Sequence, residues 1–88
     1  MGLWAEATIE IPKPKTINIK SIIQPLISDM DETILKSNYS KSEGVVLNIR
    51  TTWVGEQFDR LIHNIIKELS KADVGHYYIN VTSNWYLK

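Results

Sequence analysis

The chain contains no cysteine, which removes disulfide scaffolds, thiolate nucleophiles and cysteine-held zinc from consideration. Histidine is scarce as well: His63 and His76 are the only two, too far apart to suggest a metal site. Net charge is also missing, because ten basic residues balance ten acidic ones. A chain so balanced carries neither the electrostatic footprint of a nucleic-acid binder nor the acidic excess of a nucleic-acid mimic. No apolar run approaches the roughly 20 residues needed to cross a bilayer. The opening "MGLWAEATIE" has no basic stretch of a signal peptide, and Glu6 stands where a myristoylation pattern wants Ser or Thr. Without secretion, the sequons Asn38-Tyr39-Ser40 and Asn80-Val81-Thr82 are chance matches. The expectation is a cytoplasmic protein with no cofactor and no metal.

What is present is an ordinary globular balance, 43% hydrophobic and 23% charged over 88 residues, which predicts one domain spanning 1–88. The usage of Ile, Asn, Lys and Ser suggests an AT-rich genome, such as a low-GC bacterium or its phage.

Periodicity supplies the elements. Leu3, Ala5, Ala7, Ile9 and Ile11 alternate with Trp4, Glu6, Thr8 and Glu10, as in a half-buried strand, and "PKP" at 12–14 ends it. Ile19, Ile22, Ile23, Leu26, Ile27 and Met30 then follow helical spacing. Asn18 is a candidate cap, and Ser21 with Gln24 a competing capping box that Pro25 would favour. Thr33–Ser40 reads as an edge strand with Leu35, Ser37 and Tyr39 inward. Val45–Val54 reads as a stronger one, with Val45, Leu47, Ile49, Thr51 and Trp53 on one face. Beyond Gly55, Phe58, Leu61, Ile62, Ile65, Ile66 and Leu69 form a second helical stripe, with Gly75 near the place of a left-handed cap. The segment from His76 to Leu87 alternates again, placing Tyr77, Ile79, Val81, Ser83, Trp85 and Leu87 on one face. The order β-α-β-β-α-β, with right-handed crossovers, predicts an α+β, ferredoxin-like domain: a four-stranded antiparallel sheet with both helices on one face.

One short string points toward catalysis. "LISDMDETIL" resembles the D-x-D-x-T nucleophile motif of the haloacid dehalogenase phosphatases. That resemblance implies Asp29 as nucleophile, Asp31 as acid/base and Thr33 as a phosphate contact, with magnesium bridging carboxylate and phosphate. The surrounding chain argues otherwise. A helical stripe with Pro25, rather than a buried strand, precedes Asp29, too little chain follows for that family's core, and Asp73 is a lone late carboxylate. The expectation is an acidic turn and no catalytic residue. RNA recognition through aromatics on the central strands fares no better, since "VVLNIRTTWV" lacks the basic-Gly-aromatic series and Glu6 and Glu10 share the outward face.

The outward sheet face remains. By parity it carries Trp4, Glu6, Thr8, Glu10, Asn48, Arg50, Thr52, His76, Tyr78, Asn80, Thr82, Asn84 and Tyr86, with Arg50 beside Glu6 or Glu10. Tyr, Trp, Asn and Arg are enriched at contact surfaces, and lysine is scarce on this face. The sequence therefore predicts a non-enzymatic protein-interaction module with Trp4, Glu6, Arg50, His76, Tyr78, Asn80, Asn84 and Tyr86 as partner-binding residues. The partner would be a second copy, giving a homo-oligomer, or another protein. An accessory or inhibitory protein of a phage or mobile element fits this description. The alternative is a small-ligand sensor or dimeric αβ-barrel enzyme, its pocket between two open faces and lined by Tyr78, Asn80, His76 and Arg50.

Overall fold

The computed structural model describes residues 3–85. Its elements follow the expected order: β1 (Ala5–Ile11), α1 (Lys20–Ile27), β2 (Thr33–Ser40), β3 (Gly44–Thr51), α2 (Glu56–Ala72) and β4 (Tyr78–Ser83). The four strands form one antiparallel sheet in the order β2-β3-β1-β4, the ferredoxin-like arrangement. Each crossover helix skips a strand, so β1 and β3 occupy the centre and β2 and β4 the two edges.

Period-two alternation decides which side of the sheet is dry. Ala5, Ala7, Ile9 and Ile11 of β1 are fully buried, as are Val45, Leu47 and Ile49 of β3. They pack under Ile23 and Ile27 of α1 and Phe58, Leu61, Ile65 and Leu69 of α2. Burying each of the larger side chains contributes about 1.5–3 kcal/mol relative to leaving it in water. Thr51 is the one buried polar residue among those described, and its hydroxyl is satisfied by Thr33 Oγ1 at 2.7 Å and by the Trp53 backbone N–H at 3.1 Å.

Several local expectations need correction. Helix α1 begins at Lys20, and neither Asn18 nor Ser21 caps it; Ser21 Oγ instead donates to the Asn18 carbonyl at 2.8 Å. Pro25 sits inside this short helix without ending it, because Ile23 and Ile27 are anchored in the core and the proline faces solvent. The left-handed cap of α2 is Asp73 (φ 51°) rather than Gly75. Ser37 and Tyr39 keep the expected parity, Tyr39 opposite Val45, yet both are exposed. Eight residues of helix rise about 12 Å while eight of strand extend about 26 Å, so α1 cannot roof the far half of β2.

The β2–β3 hairpin turns at residues 41–43 and enters β3 at Gly44, whose φ of 76° suits glycine. A Cβ there would also lie 2.1 Å from the Ile11 carbonyl oxygen, in the neighbouring strand. Gly44→Ala should therefore destabilise the protein by about 2 kcal/mol or more, through backbone strain and a forced separation of β3 from β1. Urea unfolding measures this, and a midpoint unchanged from wild type would contradict it.

Candidate interaction face

On the side of the sheet away from the helices, strand register arranges the side chains in rows. Ile34, Arg50 and Glu6 align across β2, β3 and β1; Lys36, Asn48, Thr8 and Asn80 form the next row; Asn38, Val46, Glu10 and Tyr78 form the third. The middle of the face is a polar network. Asn48 Nδ2 donates to Glu6 Oε2 at 3.1 Å and to Thr8 Oγ1 at 3.4 Å.

Arg50 lies directly across from Glu6, the neighbour expected from the sequence, but it does not pair with it. Its guanidinium sits 4.3 Å from the centroid of the Trp4 ring, and Asn48 holds the Glu6 carboxylate instead. The planar, weakly hydrated guanidinium suits such a stack, which contributes about 0.5–1 kcal/mol at an exposed site. Trp4 remains 43% exposed, with Ile34 54% exposed in the adjoining row. Tyr78 marks the opposite corner at 63%. The face thus has an Arg–Trp–Ile corner, a hydrogen-bonded polar centre and a tyrosine corner.

The other residues assigned to this face divide. Asn80 is on it, exposed, opposite Thr8. His76 precedes β4 and instead borders a shallow hollow with Lys15, Asp73 and Gly75 at the end of α2. Tyr86 lies outside the described residues. Asn84 is on the helix side. The register of β4 against β1 jumps from Val81 opposite Ala7 to Ser83 opposite Glu6, so Thr82 is the extra residue of a β-bulge. That insertion reverses the alternation beyond it. Ser83 joins the row of Glu6, and the Asn84 side chain reaches the start of α2. There its Oδ1 accepts from the Gly55 N–H at 2.7 Å, while Nδ2 donates to the Gly55 carbonyl at 3.3 Å and Asp59 Oδ1 at 3.0 Å. Gly55, the N-cap residue of α2, has no side chain to cap with, and Asn84 supplies the missing polar group from across the fold.

The four residues proposed to line one pocket do not converge within a chain. Arg50 and Tyr78 belong to rows roughly 13 Å apart along the strands, on different strands, and His76 leaves the face altogether. Asp29, Asp31 and Glu32 are exposed in the turns joining α1 to β2, and the element before Asp29 is a helix, where the phosphatase motif needs a strand. No group of three or more metal-ligating side chains occurs among the described residues, and no described helix is long and apolar enough to cross a membrane.

No family model matches the chain, and no curated protein matches it. Solved structures that resemble it include a de novo designed protein, Foldit4, which is 19% identical with a TM-score of 0.64, over 94% of this chain and 98% of that one. The crystal structure of PH0061 resembles it at 12% identity and a TM-score of 0.53, over 97% of this chain and 55% of that one. At such identities the likeness carries the fold alone.

The two asparagines of β4 and its exit separate structural from surface roles. Asn84→Ala should cost about 1–2 kcal/mol in chemical denaturation, the range of a lost helix cap. Asn80→Ala should stay within about 0.5 kcal/mol of wild type. Equal costs for the two would mean that Asn84 does not secure α2.

Proposed function

We propose that the protein is a non-enzymatic interaction module that binds a protein partner, a second copy or another chain, through the open face of its sheet. The observation that carries this reading is the stacked Arg50–Trp4 pair beside exposed Ile34. Tryptophan and arginine are among the side chains that dominate binding energy at protein contacts, and here they stand against each other on the open face. Tyr78 at the far corner extends the contact, and the polar centre supplies hydrogen bonds between the two. The dimeric-barrel alternative depends on a partner copy to bring Arg50 and Tyr78 together, and nothing in their placement favours it over a plain contact face.

Two variants test the face. Trp4→Ala and Tyr78→Ala should each weaken association, self or heterologous, by about tenfold or more, the scale of an interface anchor worth above 1 kcal/mol. Light scattering on the purified chain reads self-association, and photocrosslinking from position 8 reads a foreign partner. Circular dichroism should show both variants folded. Unchanged oligomeric state together with an absence of crosslinks at position 8 would remove the proposal.

A further inference from the structure

The helix side of the molecule holds a hollow of about 230 Å³ at the opposite surface from the open face. Leu26 and Met30, at and just beyond the end of α1, and Leu61 of α2 form its apolar lining. Trp53, in the turn between β3 and α2, contributes one wall. That wall is fixed in place: the indole N–H donates to the Asp31 carbonyl at 3.0 Å, and the Trp53 backbone N–H to Thr51 Oγ1. A tryptophan held at both ends makes a preformed surface.

The polar part of the lining comes from one stripe of α2. Gln57, Arg60 and Asn64 are spaced three and four residues apart, so they stand in line on one side of the helix around Leu61. None of these three side chains makes a hydrogen bond or ion pair with another described residue; the single ion pair among the described residues is Lys15–Asp73. Their donors are therefore uncommitted at the mouth of an apolar hollow. The carboxylates of the neighbouring turns, Asp29, Asp31 and Glu32, do not line it.

These features select a ligand. Arg60 presents a fork that matches a carboxylate bidentately, and two primary amides flank it as neutral donors. The hollow of about 230 Å³ is open to solvent on one side, so a ring can rest on its apolar wall with a carboxylate at its polar rim. We propose that this hollow binds a small aromatic monocarboxylate. The ring rests against Leu26, Met30, Leu61 and the Trp53 indole, and the carboxylate is held by Arg60 with Gln57 and Asn64. This site is separate from the open-face contact and does not depend on it.

Titration of the full ¹⁵N-labelled chain with 3-phenylpropionate tests the assignment. Saturable shifts are expected at the Trp53 indole N–H and the amides of Gln57, Leu61 and Asn64. The neutral analogue 3-phenylpropionamide should bind at least tenfold more weakly. Arg60→Gln should lower affinity for the acid by a similar factor while leaving the thermal midpoint unchanged, and Arg60→Lys should fall between. Trp4→Ala, on the other face, should leave the titration unaltered. Acid and amide binding equally, shifts centred elsewhere, or full affinity in Arg60→Gln would each overturn the proposal. So would binding confined to peptides ending in a free phenylalanine, which would make the ligand a chain terminus instead.

Discussion

The structure depends on β1 being dry on one side and wet on the other. Its helix-facing residues, Ala5, Ala7, Ile9 and Ile11, have no exposure, and it is hydrogen-bonded on both edges, to β3 and β4. Period two then leaves no choice for Glu6, Thr8 and Glu10. They must share the opposite surface, and two carboxylates there make a second helical layer costly, since burying an ion without a partner is prohibitive. The open face is thus a consequence of how the centre of the sheet is built.

A single inserted residue decides where that face ends. Thr82 is the extra residue in β4, and beyond the bulge the alternation changes hand. Ser83 moves to the row of Glu6, with its hydroxyl on the Trp4 carbonyl at 3.3 Å. Asn84 moves to the helix side and grips Gly55 and Asp59. Gly55 can then serve the sharp entry to α2, at a positive φ of 71°, without also supplying a capping side chain. The bulge trades one polar residue of the surface for a long-range cap.

Element order, strand faces and helix faces were legible because each rests on a repeated pattern spread over many residues. Nine alternating positions from Leu3 to Ile11, or six apolar positions between Phe58 and Leu69, outvote any single exception. The features that escaped depend on one residue or on lengths. A bulge at Thr82 has no composition signature, so Asn84 was placed by a parity that stops holding two residues earlier. The exposure of Tyr39 follows from the shortness of α1, which spans only Lys20–Ile27. Parity placed Arg50 beside Glu6, but the choice between an ion pair and a ring was settled by Trp4 on one side and Asn48 on the other. The hollow at Trp53 was illegible for a similar reason, since it is bounded by three segments whose ends no local rule fixes.

The arrangement of Arg50 bears on what an open-face contact would recognise. An exposed Arg50–Glu6 ion pair would have contributed little to stability and would have turned each charge inward on the other. Stacking on Trp4 instead leaves the guanidinium without an acidic partner among the described residues. Glu6 is meanwhile held by Asn48, so the two opposite charges stay distinct at directly facing positions. A partner closing over this corner must meet a cation and an anion side by side, with a tryptophan and an isoleucine around them. A uniformly charged surface fails one of those two demands, whereas a surface carrying its own acid and base in the reverse order meets both. A second copy would have that property if a two-fold axis passed between Glu6 and Arg50, because each would then face the opposite charge on the other copy.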